Sequence, residues 1–126
     1  MNIPSSITDS ERLDRLRLLR SENVGPVTWR QLMEAYGSAT SALEAIPELA
    51  RRGGRKKPYK ICSKSVAKDE WAATDAVGAQ LITIGEPDYP VALAATSDAP
   101  PVMTVKGHLH LLNRRCVGMV GARNAS

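Results

Sequence analysis

The last residues of the chain combine an apolar run with groups that can bind a phosphate. The largely apolar segment 117–120 is followed by Gly121, Ala122, Arg123 and Ser126. Glycine lets the backbone turn sharply, and a helix that begins there directs its N-terminal amides toward an anion. The Arg123 guanidinium and the Ser126 hydroxyl add donors. The pattern predicts a phosphate-binding loop, although a plain strand-to-helix turn with an exposed arginine explains it equally well.

Gly25 marks a second candidate, in the turn between two short amphipathic segments. A helix-hairpin-helix motif uses a glycine-bearing turn to point backbone amides at a DNA phosphate. The usual motif has another glycine two positions earlier, where this chain carries Asn23. Asparagine tolerates the left-handed region but keeps a side chain. We therefore favour a packing connector over a direct DNA contact at this turn.

The segment 51–60 is a third candidate because it concentrates positive charge. Residues 51–70 carry eight basic and two acidic side chains, and the rest of the chain carries nine basic and eleven acidic ones. Arg55, Lys56 and Lys57 are flanked by two glycines and a proline, which predicts a loop. Such a block is usually a solvated linker, and the alternative is a salt-dependent contact with phosphates.

The sequence offers no pattern typical of catalysis or of a metal site. Glu86 and Asp88 lie two positions apart, but the prolines around them favour a rigid corner over acid–base chemistry. The other candidates are two cysteines in separate segments and two histidines without a third ligand: Cys62, Cys116, His108 and His110. We interpret the cysteines as free thiols, with Cys116 buried, and the histidines as surface residues.

Periodicity and capping residues predict a helical first half. Thr8 and Glu11 form a capping box, and the helix that follows is expected to end between Ser21 and Asn23. Further helices are predicted over 26–36, 38–46, 47–52 and from about 63 to 77, with Gly37 and Gly78 ending two of them.

Short β-branched runs replace this pattern near residue 78. Strands are predicted over 81–84, 101–105 and 116–120, with a helical turn over 109–113. Because the runs do not alternate between apolar and polar residues, we expect strands buried on both faces, as in a parallel sheet. The predicted fold class is therefore α+β, with an all-α part followed by an incomplete α/β part.

Several short motifs, taken in order, resemble the DprA/Smf family of DNA-processing proteins. They are Val24-Gly25-Pro26, Tyr36-Gly37-Ser38, Asp88-Tyr89-Pro90 with Leu93, Pro100-Pro101, Lys106-Gly107, and Val120-Gly121-Ala122-Arg123 with Ser126. Each motif is weak by itself, whereas their order and spacing are specific. The resemblance extends over nearly the whole chain, from about Leu13 to Ser126.

The resemblance implies two domains. A SAM-like, helix-hairpin-helix-like domain over 1–78 would contain the basic loop 51–60, and an extended Rossmann-like DNA-binding domain would begin at 79–126. Because three short strands cannot complete a Rossmann sheet, we expect the chain to be a fragment, the product of a truncated gene model or the ordered part of a longer protein.

The resemblance also implies a non-catalytic function. Family members bind and protect incoming single-stranded DNA and load the RecA recombinase during natural transformation; they commonly dimerise and need no cofactor. Their glycine–serine–arginine loop falls on Gly121, Ala122 and Arg123, with a later serine on Ser126, and alanine removes one hydroxyl donor. Arg55, Lys56, Lys57 and Gly25 are weaker candidates for DNA contacts.

Two other functions are left open at this stage. Glycine–arginine loops on Rossmann-like domains also bind nucleotide phosphates in nucleotide-processing hydrolases, which would need carboxylates beyond Ser126. Alternatively, residues 1–78 serve as a protein-interaction module. We expect a cytoplasmic protein without a membrane span, because the cysteines read as free thiols and neither a signal peptide nor a long apolar run is present in the sequence.

Overall fold

The computed structural model describes residues 7–54, 56–57 and 59–124. Four longer helices come first and a small sheet follows. The elements are α1 (Asp9–Leu19), α2 (Pro26–Tyr36), α3 (Ala39–Arg52), α4 (Lys64–Ala76), β1 (Gln80–Thr83), α5 (Val91–Ala94), β2 (Val102–Val105) and a 3-10 helix (Leu109–Asn113). The predicted α+β class, with an incomplete second part, is confirmed.

Side-chain caps and left-handed glycines set the helix ends, as the sequence predicts. The Thr8 hydroxyl accepts the Glu11 amide at 3.1 Å, and Gly37 and Gly78 adopt φ of 80° and 73° after α2 and α4. In a full capping box the Glu11 carboxylate would also accept the backbone amide of Thr8. Here a longer-range contact replaces that bond. The Glu11 carboxylate accepts the Ala39 amide at 2.7 Å and so joins the first turns of α1 and α3.

The division of 38–52 into two short helices is wrong, because α3 continues through Pro47. Proline removes one helical hydrogen bond and usually breaks a helix. Here Pro47 lies on the exposed side. The buried face consists of Ala39, Ala42, Leu43, Ile46 and Ala50, which keep helical spacing on both sides of the proline. Burial of this continuous face outweighs the local penalty.

Helix α1 lies at the centre of the molecule and joins two hydrophobic clusters. Leu18 belongs to the first cluster, with Trp29 of α2 and the buried face of α3. Leu13 and Leu16 belong to the second, with Ala67 of α4 and Leu81 of β1. Because the second cluster spans both sides of residue 78, the helical part and the sheet pack against each other. A domain boundary near residue 78 stays a prediction.

The sheet is antiparallel, so the expectation of a parallel sheet is wrong. Its two strands pair with Gln80 opposite Val105 and Thr83 opposite Val102. The connection between them contains only a short helix and folds back at the predicted proline-rich corner. Tyr89 is 3% exposed there, and its hydroxyl donates to the Pro100 carbonyl at 2.6 Å. This tie returns the chain beside β1, which excludes the long crossover that parallel strands require.

The third predicted strand, over 116–120, is also wrong: these residues form neither strand nor helix. Val117, Met119 and Val120 are at least 91% exposed. A strand needs a neighbour to pair its backbone groups and to cover its side chains. Among the described residues nothing provides that cover. Cys116 is consequently exposed rather than buried, and it and Cys62 are free thiols as expected.

Candidate nucleic-acid interface

Two arginines of α1 hold the helix against the sheet. Arg12 forms an ion pair with Glu86, and its guanidinium lies 5.9 Å from the centre of the Trp71 ring. Arg15 donates to the Thr83 hydroxyl at 2.9 Å. These contacts are largely shielded from solvent, so the charges are used within the fold and are not available to a DNA phosphate.

Glu86 is the acceptor at the centre of these contacts. Besides Arg12, its carboxylate accepts the Thr83 amide at 2.6 Å and the Thr83 hydroxyl at 2.8 Å. Burial acts to raise the pKa of Glu86, but the hydrogen bonds from Arg12 and Thr83 outweigh it and hold the pKa below its usual value. The carboxylate is therefore ionised at neutral pH and balances Arg12.

The remaining arginine of α1, Arg17, and the C-cap residue Arg20 are paired as well. Arg17 donates to Asp14 at 2.9 Å and to the Cys62 carbonyl at 2.9 Å. Arg20 makes a two-pronged contact with Glu70 on α4, each bond 2.9 Å long. Hydrogen bonds from Arg20 lower the pKa of Glu70, against the effect of burial, and raise the pKa of Arg20 itself. The three arginines of this helix and its C-cap arginine thus all have structural partners.

The arginines after residue 113 are in a different situation. We call residues 114–124 the terminal arm. Arg114, Arg115 and Arg123 are exposed, and within the described part of the chain none of their guanidinium groups has an ion-pair partner. The arm contains no acidic residue. Its positive charge is therefore uncompensated.

Asn113 fixes the start of the terminal arm to the proline-rich corner. Its side-chain oxygen accepts the Val91 amide at 2.8 Å, and its amide nitrogen donates to the Tyr89 carbonyl at 3.5 Å. Beyond Asn113 the arm extends into solvent. The corner therefore gives the arm a defined point of departure.

The predicted phosphate loop lies at the end of this arm. Gly121, Ala122 and Arg123 are exposed and form no helix as far as residue 124. Ser126 lies outside the described residues. An amide cradle is thus not formed by residues 121–124 alone, and the assignment of this loop to DNA stays a prediction.

Sequence patterns did not indicate Arg114 and Arg115 as candidates, although a signal was present. In the second half of the chain every acidic residue precedes position 99, and every basic residue from position 71 onward follows position 105. Acidic and basic residues are equally numerous in this half, so its net charge of zero hides their separation along the sequence. The terminal arm is the basic end of that gradient.

The basic loop is partly held in place by the turn between α1 and α2. We call residues 56–57 and 59–62 the basic strap. Lys60 and Glu22 are joined twice: the Lys60 amide donates to the Glu22 carboxylate, and the Glu22 amide donates to the Lys60 carbonyl, each at 2.8 Å. The Cys62 amide donates to the Ser21 hydroxyl at 3.0 Å. Lys56 and Lys57 are exposed, whereas Arg55 lies outside the described residues.

In the turn between α1 and α2, Asn23 adopts the backbone conformation that the sequence suggested. Asn23 adopts a φ of 62°, in the left-handed region that asparagine tolerates. Gly25 precedes α2 with extended backbone angles, and an added side chain would meet no neighbouring atom. Glycine is therefore not required there by the fold. A DNA contact at Gly25 stays a prediction.

An open groove of about 540 Å³ lies between α1 and α4. Its lining includes three carboxylates and two ammonium groups around a half-buried indole: Asp9, Asp14, Asp75, Lys64, Lys68 and Trp71. Because the charges are mixed, this groove does not favour a polyanion. The described residues contain no group of three or more potential ligands placed to hold a metal ion.

Comparison with protein families identifies both parts of the chain. Residues 9–73 match the DprA-like N-terminal HHH domain, and residues 80–126 match the DNA recombination-mediator protein A family. No curated protein matches the chain. No helix within the described residues is long and apolar enough to cross a bilayer. The two family matches follow each other and cover most of the chain, so this protein belongs to the DprA/Smf family of DNA recombination mediators.

Proposed function

We propose that this protein binds single-stranded DNA through its phosphates and acts as a mediator of recombination without catalysing a reaction. Membership of the family is the observation that carries this proposal. The chain contains two Trp, three Tyr and no Phe. This composition favours binding through charge over binding through stacked bases.

The terminal arm is the proposed contact. Gly121 and Ala122 would present backbone amides, Arg123 a forked cation, and Ser126 a hydroxyl to the DNA backbone. Arg114 and Arg115 extend the same positive surface toward the anchored end of the arm. The absence of ion-pair partners for these arginines among residues 7–54, 56–57 and 59–124 supports the assignment.

The more specific parts of the proposal are based on membership of the family. We propose that the protein protects incoming single strands in the cytoplasm, loads the RecA recombinase during natural transformation, and works as a homodimer. Contacts limited to phosphates would leave the bases accessible, and a recombinase must pair those bases with a homologous partner.

Binding of a labelled oligothymidine, measured by fluorescence anisotropy, tests this proposal. A single-strand phosphate contact is worth roughly a fivefold change in affinity at about 0.1 M salt. We therefore expect Arg123→Ala to weaken binding by about fivefold. The control, Lys68→Ala, makes the same charge change beside the carboxylates of the groove and should change affinity less than about twofold.

An unchanged dissociation constant for Arg123→Ala would remove the terminal loop from the proposed site. Incubation with nucleoside triphosphates is the complementary measurement. Turnover that survives purification to homogeneity would favour the hydrolase alternative over a mediator.

A further inference from the structure

The basic strap has a fixed path, although its composition is typical of a mobile linker. Lys60 and Cys62 are held by four hydrogen bonds: two between Lys60 and Glu22, one from Cys62 to the Ser21 hydroxyl, and one from Arg17 to the Cys62 carbonyl at 2.9 Å. Ser21 is itself buried. These bonds fasten the strap along the turn between α1 and α2.

Tyr59 adds an apolar anchor to the same segment. It packs against the first hydrophobic cluster and lines a small pocket with Val24, Leu32 and Ile46. A chain advances at most about 3.6 Å per residue, so the Cα of Lys57 lies within about 7 Å of the Cα of Tyr59. The strap lysines are therefore kept close to the α1–α2 turn.

The charge of this region exceeds that of the acidic groups near it. Arg51 and Arg52 both contact one carboxylate, Glu48. The side chains of Lys56 and Lys60 are exposed, and neither has an ion-pair partner in the described segments of the chain. The Glu22 carboxylate is directed at the backbone amide of Lys60. A net positive surface remains at the end of α3 and along the strap.

We infer that the basic strap is a second nucleic-acid contact, which binds the sugar–phosphate backbone through Lys56 and Lys60 independently of the terminal arm. This inference rests on the proposed function as a DNA-binding protein. Ordering of these residues within the fold removes part of the entropic cost that a free linker would incur on binding. Lysines are point charges that suit phosphates in any orientation and any base sequence. Two separate contacts on one chain would raise the effective affinity for a long strand.

The test compares two double variants of the intact chain that lose the same charge. Lys56→Gln with Lys60→Gln neutralises two cations of the strap, and Lys64→Gln with Lys68→Gln neutralises two cations of the mixed groove. Affinity is measured for labelled oligothymidine and for a duplex of random sequence. We expect the strap variant to bind about 25-fold more weakly at about 0.1 M salt, and the groove variant less than about threefold more weakly.

Wild-type affinity for both DNA forms in the strap variant would overturn the inference, as would equal losses in the two double variants, since these would reflect net charge alone. Displacement of DNA by polyglutamate at equal charge concentration would assign the strap to an acidic protein and would also overturn it. A loss on either DNA form supports the strap contact. Arg123→Ala, measured alone, tests the terminal arm separately, so the two assignments can fail independently.

Discussion

Helix α1 with its C-cap residue Arg20 carries four arginines and the terminal arm carries three, yet they use them in opposite ways. Each of these four arginines contacts a carboxylate or a polar group of the fold, as Arg12 does with Glu86 and Arg20 with Glu70. Arg114, Arg115 and Arg123 have no such partner among the described residues. A count of basic residues therefore does not locate an anion site; the pairing of each cation does.

Because of this difference, the arginines that stabilise the fold and the arginines that are available for binding can be changed separately. Arg12 and Arg15 join α1 to the sheet and Arg20 joins the end of α1 to α4, so their loss should be measured as instability. The arm arginines support no packing, so their loss should be measured in binding.

Replacement of Glu86 should cause the largest loss of stability. Glu86→Ala removes the shielded partner of Arg12, which keeps only the exposed Asp9, and removes the acceptor of the Thr83 amide. Breaking a pair of this kind costs about 3 kcal/mol in the free energy of unfolding. Urea denaturation measures the change, and Asp88→Ala, an exposed carboxylate two positions away, is the control. Equal stability of the two variants would show that the α1–sheet contact is weak.

Removal of the arm arginines should affect binding and leave stability unchanged. Arg114→Ala, Arg115→Ala and Arg123→Ala together should weaken affinity for single-stranded DNA roughly 100-fold at about 0.1 M salt, because three phosphate contacts are lost. The free energy of unfolding should change by less than about 0.5 kcal/mol. A lowered melting temperature would mean that the arm packs on the protein.

Acidic pH should lower the stability of the region that contains the ion pairs of Glu86 and Glu70, and it should leave the terminal arm unaffected. The pKa values of Glu86 and Glu70 are lowered in the fold. A carboxylate whose pKa is lower in the folded protein than in the unfolded chain adds stability at pH values above its unfolded pKa. This stability is lost as the pH falls through its folded pKa. We expect the free energy of unfolding to fall by about 1 kcal/mol below about pH 4, after allowance for solvent screening at Glu70. Denaturation at a series of pH values measures it, and constant stability would contradict the pairing.

The contact between Arg20 and Glu70 should give the smallest effect. The Arg20 side chain is 49% exposed, and pairs this accessible contribute at most about 1 kcal/mol. Arg20→Ala should lower the free energy of unfolding by that amount or less. It should also leave DNA affinity unchanged, because Arg20 is already occupied by Glu70.

Local features of the fold were predictable, and features that depend on distant partners were not. The cap at Thr8, the turns at Gly37 and Gly78 and the corner at Tyr89 depend on neighbouring residues, and each is confirmed. Pro47 misled the helix prediction because the buried face of α3 is a tertiary property. The strand over 116–120 failed because a strand exists only with a neighbour.

The candidate site was predictable only in part, for a related reason. The motif Gly121–Arg123 and the basic loop are visible as residue types, and the family match agrees with the resemblance that those motifs carry. The pairing of α1 arginines with Glu86 and Glu70 links positions far apart in sequence. No periodic pattern encodes such a pair, so only the fold shows which of the cations are paired and which remain available.

The salt dependence of single-strand binding tests most directly whether the available charge lies on the arm and not on α1. Each phosphate contact contributes about 0.7 to the slope of log affinity against log salt concentration. The triple arm variant should reduce the slope by about 2, and Arg20→Ala should leave it unchanged. An unaltered slope in the arm variant, or an equal reduction in Arg20→Ala, would contradict the account.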